Sequence, residues 1–169
     1  MESVEDPAYP VAKAFVDSLI GRDYSLVITG SSGGRMGKIH NMIEALPRAK
    51  HRAVIFSDAD IRTSAGLLEE TAWAFANGYD AVYGLPYHSW APGFGGWQMM
   101  TAFNHCFCLP AALNFILLPG NFRFCAGGWM AFTRERIEKA GGLEALAQKI
   151  ADDFALSRSA RLSGAKVYL

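Results

Sequence analysis

Short apolar runs alternate with segments of helical spacing in the first half of the chain, and this alternation constrains the fold most. The runs at 26–29, 53–56 and 81–83 contain Val and other apolar residues and are too short for helices. Between them, the segments 39–46 and 64–77 carry apolar residues at helical spacing. Strand–helix–strand units of this kind are usually closed by right-handed crossovers between parallel strands. The sequence therefore predicts an α/β fold whose sheet is mainly parallel and flanked by helices.

The second half of the chain, and its first residues, extend this pattern. The same spacing predicts helices over 11–20, 134–140, 143–150 and 154–162, and strands over 129–133 and 166–169. A chain of 169 residues is long enough to bury the core of one domain. We therefore expect a single domain over residues 1–169.

The apolar run 53–56 is followed by two carboxylates one residue apart, Asp58 and Asp60. The carboxyl end of a central strand is the place where open α/β sheets bind their ligands. Two hard oxygen donors at this place suit a divalent metal such as Mg²⁺ that also carries phosphates. An acidic turn leading into the next helix is the alternative, and this short motif does not separate the two.

A glycine-rich loop at 30–37 precedes Lys38. Such a loop can bring backbone N–H groups close to an anion, although the P-loop spacing is absent and a plain flexible loop is the alternative. A lysine at the start of a helix opposes the helix dipole. We therefore predict that Lys38 pairs with a ligand or with a carboxylate.

The chain is electrically balanced, with 16 basic and 16 acidic side chains and a formal net charge of zero. It lacks the basic composition typical of nucleic-acid-binding domains, and we expect no nucleic-acid partner. Its first residues do not show the charged and apolar regions of a signal peptide, so no targeting signal is visible. No run of 18 residues is apolar enough to predict a membrane-spanning helix.

Residues 81–122 form a stretch of 42 residues without Asp, Glu, Lys or Arg, and nine of them are aromatic. Prolines and glycines within the stretch exclude a single membrane-spanning helix. A core segment is one interpretation, and a surface that meets an apolar substrate or the bilayer is the other. Trp97 and His105 lie in this stretch and are candidates for an acceptor region, although a buried structural role is more typical of a histidine in such surroundings.

Six segments of the chain, taken together and in this order, carry a family resemblance. They are Glu5-Asp6-Pro7-Ala8, Gly37-Lys38-Ile39-His40-Asn41-Met42, Ser57-Asp58-Ala59-Asp60-Ile61-Arg62, Gly84-Leu85-Pro86-Tyr87, residues 122–128, and the run from Gly141 to Phe154. The combination resembles the family 21 glycosyltransferases, the ceramide glucosyltransferase type that includes bacterial hopanoid-linked relatives. The similarity covers nearly the whole chain.

The resemblance implies a GT-A fold, in which a Rossmann-like sheet binds a nucleotide sugar. It implies an inverting transfer of a sugar from a UDP-sugar, such as UDP-glucose, to a hydroxyl of a membrane lipid such as ceramide or hopanoid. It also implies association with a membrane surface, with the active site facing the cytoplasm.

Five residues receive roles from the resemblance. Asp6 would contact the uridine, and Lys38 would either lie near the diphosphate or position Asp6. Asp58, with Asp60, would bind Mg²⁺ or Mn²⁺ and, through it, the nucleotide sugar. Asp153 would take the proton of the acceptor hydroxyl as general base. We therefore expect Asp6, Asp58 and Asp153 to converge on one pocket at one rim of the sheet.

The last carboxylate pair of the chain, Asp152 and Asp153, is divided between two roles. Carboxylates are favourable at a helix start, so Asp152 is expected to cap the last helix. Asp60 stands where some family members have Gly, so the resemblance supports a metal role for Asp58 more directly than for Asp60.

Three family features are absent from the ends of this chain. The first strand would precede Asp6, and the (Q/R)xxRW motif and the membrane segments would follow Leu169. We therefore expect a GT-A domain truncated at both ends, with little or no transferase activity on its own. Two alternatives stay open: a fragment of a processive family 2 polysaccharide synthase, and a non-catalytic remnant that binds a UDP-sugar or a lipid.

Overall fold

The computed structural model describes residues 1–88, 96–117, 127–146 and 152–169. The helices are α1 (Tyr9–Ser18), α2 (Gly37–Ala45), α3 (Ala65–Ala76), α4 (Trp97–Phe103), α5 (Leu109–Leu117), α6 (Arg134–Lys139) and α7 (Asp152–Leu162). The strands are β1 (Ala53–Ser57), β2 (Ala81–Tyr83), β3 (Trp129–Thr133) and β4 (Val167–Tyr168). Single turns of 3-10 helix cover Leu46–Arg48 and Glu144–Leu146, and a π turn, Asn104–Cys108, joins α4 to α5.

The chain divides into two compact units. The first comprises the described residues of Met1–Lys50 and Leu143–Ile150, and it contains α1 and α2. The second comprises the described residues of His51–Gly142 and Ala151–Leu169, and it contains the sheet. The expectation of a single domain over residues 1–169 stays a prediction.

In the first unit, the predicted strand at 26–29 is wrong. The segment is extended, and Thr29 N–H donates a hydrogen bond to the carbonyl of Met1, while the terminal ammonium donates to the carbonyl of Val27. A strand requires a neighbouring strand with which its backbone can pair in a ladder. In the described part of this unit the segment contacts the first residues of the chain and α2, where Asn41 Oδ1 accepts a hydrogen bond from the Thr29 hydroxyl, but no strand pairs with it.

The sheet of the second unit has the order β1-β3-β2-β4. β3 is antiparallel to both β1 and β2, whereas β2 and β4 are parallel. The α/β class is confirmed, but the prediction of mainly parallel pairing is wrong, because β3 is inserted between β1 and β2 in the opposite direction. The apolar pattern of a strand does not contain its direction. β1, β2 and β4 nevertheless run the same way, as strand–helix–strand units require.

β3 is the central strand of the core. All five of its residues are buried, and the ring of Phe132 meets the ring of Tyr83 from β2 edge-on, with centroids 5.7 Å apart. Ala74 of α3 packs with Val82 and Ala131 over one face of the sheet. The central position of β3 follows from its composition, because aromatic and apolar residues fit a surface that is covered on both faces.

Most predicted elements are confirmed within about two or three residues, the usual uncertainty of helix ends. They are the strands at 53–56, 81–83, 129–133 and 166–169, and the helices at 11–20, 39–46, 64–77, 134–140 and 154–162. The helix predicted over 143–150 is a 3-10 turn at Glu144–Leu146, and residues 147–150 lie outside the described residues.

An ion pair lies at the end of the sheet where β2 and β4 begin and β3 ends. Asp80 Oδ2 lies 3.1 Å from Arg136 Nη2 and accepts a hydrogen bond from Lys166 N–H. Arg136 also donates to the carbonyl of Ser163 at 2.6 Å. The largest single effect on the pKa of Asp80 is burial, which raises it. The Lys166 N–H and the Arg136 guanidinium together outweigh burial and hold the pKa of Asp80 below its usual value. We call this group the Asp80 edge.

Candidate functional site

The opposite edge of the sheet is where β1 and β2 end and β3 begins. Ser57 of β1 pairs with Trp129, the first residue of β3, and Tyr83 of β2 pairs with Met130. Asp58 therefore leaves the sheet beside the residues that enter β3. Ligands of α/β sheets bind outside the carboxyl ends of the parallel strands. We call this end of the sheet, with Asp58 as its first residue after β1, the Asp58 edge.

Asp58 begins a tight turn that also contains Asp60. Its N–H donates to the carbonyl of Gly128 at 3.1 Å, which extends the β1–β3 ladder by one residue. Its own carbonyl accepts a hydrogen bond from Ile61 N–H at 3.4 Å. Asp58 is half-buried and Asp60 is exposed. The backbone of the first carboxylate is thus fixed by the sheet, whereas the second lies on the solvent side of the turn.

Gly127 and Gly128 form the turn that enters β3, and we call them the Gly127–Gly128 turn. A Cβ at Gly128 would lie 2.7 Å from Ile61 Cδ1 and 3.2 Å from Ile61 Cγ1. Real Cβ atoms almost never approach another heavy atom to less than 3.0 Å. Glycine at 128 therefore permits the Asp58–Ile61 turn to pack directly on the backbone of the entry to β3.

Asp153 reaches the same turn from α7. One carboxylate oxygen, Oδ2, accepts a hydrogen bond from Gly127 N–H at 3.0 Å, and Oδ1 accepts from Phe154 N–H at 2.7 Å. Asp153 is half-buried in the first turn of α7, where the helix dipole favours a negative charge. The segments of Asp58 and Asp153, 95 positions apart in the sequence, thus bond to adjacent glycines.

Asp152 is the more buried residue of the carboxylate pair, with 8% of its surface exposed. It is the first residue of α7, so both carboxylates lie in the first helical turn. The expected cap role of Asp152 stays a prediction. The hydrogen bond from Gly127 distinguishes Asp153 as the carboxylate that faces the turn at the Asp58 edge.

The other two predicted nucleotide-binding residues, Asp6 and Lys38, belong to the first unit. Asp6 Oδ1 accepts a hydrogen bond from Ala8 N–H at 2.8 Å, in a turn that leads into α1. Lys38 is half-buried in the first turn of α2. Their contacts with uridine and diphosphate stay predictions. Of the three carboxylates expected to converge, the structure brings together the segments of Asp58 and Asp153.

The segment 84–88 leaves β2 at the Asp58 edge and is fixed at both ends. A Cβ at Gly84 would lie 2.8 Å from the Cβ of Trp129, so the segment begins in close contact with β3. At its far end, the buried side chain of Asn104 accepts a hydrogen bond from His88 N–H and donates one to the His88 carbonyl. The π turn that carries Asn104 therefore ties α4 and α5 to this segment, and π turns are frequent at functional sites.

α4, the π turn and α5 follow one another without a break over residues 97–117, which we call the apolar helix. Many of its large side chains are exposed: Trp97, Met99, Phe103, Phe107, Leu109, Leu113 and Leu117. Trp97 is 56% exposed, so the predicted acceptor residue is accessible. In the described part of the chain, no helix has the length and apolar character to cross a membrane.

His105 lies on the apolar helix and is exposed, so the favoured buried role is wrong. Its Nδ1 is 2.7 Å from the carbonyl of Thr101, one turn earlier. A local hydrogen bond satisfies one ring nitrogen without burial, which the sequence pattern does not reveal. The predicted acceptor role of His105 stays a prediction.

Asp58 and Asp60 are the residues that could hold a divalent metal. Among the described residues, no group of three or more His, Cys, Asp or Glu side chains could hold a metal ion by itself. Mg²⁺ is usually bound through one or two carboxylates together with substrate phosphates and waters. A half-buried and an exposed carboxylate in one turn fit a metal shared with a diphosphate, and they do not form an all-protein cage.

Sequence reasoning missed three residues of this edge: Ile61, Gly127 and Gly128. Gly127 and Gly128 lie at the end of a family-like segment, but no role was assigned to them. The available signal was two consecutive glycines directly before a predicted strand, which often mark a close backbone approach. Ile61 gave no signal, because its contact is with a residue 67 positions later in the chain.

The comparisons with known proteins address the family directly. No solved structure matches this chain. The family profile named glycosyl transferase family 21 matches residues 1–169, the whole of the chain. The motif order, the α/β sheet and the carboxylates at its Asp58 edge agree with that match, and the chain belongs to glycosyl transferase family 21.

Proposed function

We propose that this chain contains the donor site and the general base of an inverting glycosyltransferase. The sugar passes from a UDP-sugar, such as UDP-glucose, to the hydroxyl of a membrane lipid such as ceramide or hopanoid. The observation that carries the proposal is a pair of hydrogen bonds to adjacent glycines. Asp58 N–H donates to the carbonyl of Gly128, and the Asp153 carboxylate accepts from Gly127 N–H. A donor-binding carboxylate and a base must flank one sugar, and this arrangement supports that geometry.

Asp153 acts on the acceptor. A lipid hydroxyl has a high pKa and is a poor nucleophile, so its proton must leave as the oxygen attacks C1 of the sugar. The proton passes to a carboxylate oxygen of Asp153, the O–C1 bond forms, and the bond from C1 to the UDP phosphate breaks. Each carboxylate oxygen has two lone pairs. The hydrogen bonds from Gly127 and Phe154 therefore leave capacity for the incoming proton.

Attack from the face opposite UDP inverts the configuration at C1. The departing UDP carries increasing negative charge as the bond to the sugar breaks. A Mg²⁺ or Mn²⁺ ion held by Asp58 and Asp60 would supply positive charge that stabilises this leaving group. Lys38 adds a second positive charge near the diphosphate, and Asp6 binds the uridine.

The apolar helix is the proposed contact with the lipid acceptor and with the membrane surface. The longer segment around it, residues 81–122, has no Asp, Glu, Lys or Arg, and Trp97 and Phe107 are more than half exposed. Exposed Trp and Phe side chains without nearby charge are typical of surfaces that enter the headgroup region. We propose a membrane-associated protein whose active site faces the cytoplasm.

UDP titration with and without Mn²⁺ tests the donor site. For the wild-type chain we expect Mn²⁺ to strengthen UDP binding. Asp58→Ala should remove about 10–100-fold of this affinity, the range typical for weakened metal sites. Asp60→Ala should remove less, because Asp60 is exposed. Asp17→Ala is the matched control, because Asp17 is exposed and pairs with Lys13 one turn earlier on α1.

Two results would contradict the donor site. One is UDP affinity that is independent of Mn²⁺ in the wild-type chain. The other is an equal loss of affinity in Asp58→Ala and in the Asp17→Ala control, which would indicate a general effect of removing negative charge.

Vesicle sedimentation tests the membrane contact. We expect the wild-type chain to bind neutral phosphatidylcholine vesicles, and Phe107→Ser to weaken binding about tenfold, because a buried Phe contributes about 1.5–3 kcal/mol. Trp73→Ser is the matched control, because Trp73 is similarly exposed but lies on α3. Equal losses in both variants, or no wild-type binding, would contradict the apolar helix as the contact.

The two alternative functions make different predictions. The match to family 21 disfavours a fragment of a processive family 2 synthase. A non-catalytic remnant would bind UDP or lipid but transfer no sugar, so a transfer rate that is lost in Asp153→Asn, in a form of the protein that shows transfer activity, separates the transferase from it.

A further inference from the structure

The Gly127–Gly128 turn makes three contacts that bear on the two carboxylate segments of the Asp58 edge. Gly127 N–H donates to Asp153 Oδ2 at 3.0 Å. The Gly128 carbonyl accepts from Asp58 N–H at 3.1 Å. The Cα of Gly128 faces the side chain of Ile61, the last residue of the Asp58 turn. The Gly127–Gly128 dipeptide therefore contacts the proposed base, Asp153, directly. It contacts the Asp58 turn at two places, the backbone N–H of Asp58 and the side chain of Ile61.

The contact between Gly128 and Ile61 is too close for a larger residue at position 128 unless the Ile61 side chain shifts. A Cβ at position 128 would meet Ile61 Cδ1 at 2.7 Å and Cγ1 at 3.2 Å. Gly128 is not among the described glycines with positive φ, so close approach and not backbone conformation requires glycine here. Ile61 is half-buried and β-branched, and its χ1 angle is restricted. An added Cβ therefore requires Ile61 to shift, by rotation of its Cδ1 atom and by a displacement of a few tenths of an ångström at Cγ1.

Movement of Ile61 would be transmitted to Asp58. Ile61 N–H and the Asp58 carbonyl close the turn by a hydrogen bond at 3.4 Å, and Asp60 lies between them. The position of Ile61 against Gly128 therefore sets where the two carboxylates of this turn lie relative to β3. Gly127, the preceding residue, sets the orientation of the Asp153 carboxylate.

We propose that Ile61 and the Gly127–Gly128 turn are positioning residues that hold the Asp58 turn in register with the Asp153 carboxylate. Neither glycine nor Ile61 is assigned a contact with substrate. The expected effect of these residues on nucleotide binding rests on the proposed function. The contact between Gly128 and Ile61 does not depend on that function. The test therefore needs one measurement of position and one of binding.

The test compares Gly128→Ala, Ile61→Val and the double variant in the 169-residue chain. Ile61→Val removes the Cδ1 atom that lies 2.7 Å from the added Cβ and keeps the β-branched stem. Gly66→Ala is the matched control, because a Cβ at Gly66 in α3 meets its nearest atom at 3.7 Å, an ordinary contact. Amide hydrogen exchange at Asp58 reports the position of the turn, and titration with UDP and Mn²⁺ reports binding.

We expect Gly128→Ala to speed exchange of the Asp58 amide and to weaken Mn²⁺-dependent UDP binding, each by about tenfold, the lower range for overpacking a tight contact. Ile61→Val in the same chain should restore most of both losses. Ile61→Val alone and Gly66→Ala should remain close to wild type in both measurements. Rescue by a smaller side chain distinguishes relief of one contact from a general loss of stability.

Three results would overturn the proposal. The first is an unchanged rate of amide exchange at Asp58 in Gly128→Ala. The second is exchange in the double variant that is as fast as in Gly128→Ala. The third, given a wild-type chain whose UDP binding depends on Mn²⁺, is faster exchange in Gly128→Ala without any loss of that binding. If Gly128→Ala does not fold, recovery of the folded state in the double variant supports the contact, and its absence overturns it. Wild-type UDP binding that ignores Mn²⁺ would contradict the proposed function, while exchange at Asp58 would still decide the positioning role.

Discussion

Asp80 and Asp153 lie at opposite ends of β3 and are held in different ways. Asp80 is paired with the guanidinium of Arg136 and accepts the Lys166 N–H. Within the described part of the chain, Asp153 receives two backbone N–H groups and no cation. Both are carboxylates at the rim of one sheet, but among the described residues a basic side chain neutralises the charge of Asp80 and none pairs with Asp153.

The difference separates a structural carboxylate from one that is available for chemistry. A carboxylate in an ion pair uses its charge to stabilise the fold, and its affinity for a proton falls. A carboxylate held by two backbone N–H donors has no basic side chain against it and retains lone pairs for a substrate proton. We therefore expect substitutions at the Asp58 edge to change catalysis and substitutions at the Asp80 edge to change stability.

The largest effect is expected for Asp153→Asn. Loss of a general base typically lowers the rate about 10²–10⁴-fold. The amide of Asn keeps an oxygen that can accept from Gly127 N–H, so the fold should remain intact. The measurement is kcat for sugar transfer, in a form of the protein that shows transfer activity, with donor KM as the second readout.

The comparison gives the control for that experiment. Asp80→Asn in the same active chain should keep kcat, because Asp80 lies at the other end of β3 from the proposed site. Transfer that survives in Asp153→Asn and is lost in Asp80→Asn would reverse the two assignments.

The next effect is the stability loss of Asp80→Asn. Removal of this charge leaves Arg136, whose side chain is 12% exposed, without its anionic partner. We expect the free energy of unfolding to fall by about 1–3 kcal/mol, the cost of removing one partner from a buried hydrogen bond. Urea unfolding at pH 7 measures it, and an unchanged midpoint would contradict a structural role for Asp80.

The pH dependence of the same pair has a definite sign. Because the folded state lowers the pKa of Asp80, the unfolded state binds the proton more readily. The stabilisation is therefore present above the unfolded pKa, about 3.9, and is lost as the pH falls through the lower folded value. The stability gap between wild type and Asp80→Asn should be constant above about pH 5 and should narrow below about pH 4.

A smaller loss is expected at the helix cap of the Asp80 edge. Thr133, the last residue of β3, accepts a hydrogen bond from Arg136 N–H and thereby caps α6. Thr133→Ala should lower the free energy of unfolding by about 1 kcal/mol. Thr133→Ser keeps the hydroxyl and should retain most of it in the same urea titration. Equal losses in both variants would indicate that the methyl group, and not the cap, matters.

The smallest effect is expected for Glu135→Gln. Glu135 forms an exposed pair with Lys139 at 2.6 Å, and the hydrogen bond and charge of Lys139 lower the pKa of Glu135. Solvent screens such a pair, so we expect no measurable change in the urea midpoint. A loss as large as that of Asp80→Asn would show that burial does not explain the strength of the Asp80 pair.

The strands and helices were predictable because their cause is local. Alternating burial and helical spacing are encoded in neighbouring residues, and the four strands of the sheet lie where these patterns put them. The extended segment at 26–29 was mistaken for a strand because a ladder depends on a partner, which a single run of residues does not contain. The direction of β3 was missed for the same reason.

The chemistry-bearing residues were predictable as types, and their arrangement was not. Motif and resemblance singled out Asp58, Asp60 and Asp153. The absence of Asp, Glu, Lys and Arg from residues 81–122 was likewise visible in the sequence. Exposure of His105 was not predictable, because a hydrogen bond within one helical turn replaced burial.

The amino-acid sequence by itself determined the family, the α/β class and the identity of the candidate carboxylates, because these follow from local pattern and residue type. Only the tertiary structure decided that β3 runs antiparallel between β1 and β2. Only it decided that the Gly127–Gly128 turn, which precedes β3, contacts the segments of both Asp58 and Asp153. It also decided that Gly128 lies in close contact with the side chain of Ile61. The physical reason is that close contact between Gly128 and Ile61 depends on which strands become neighbours, and that is a property of the whole sheet.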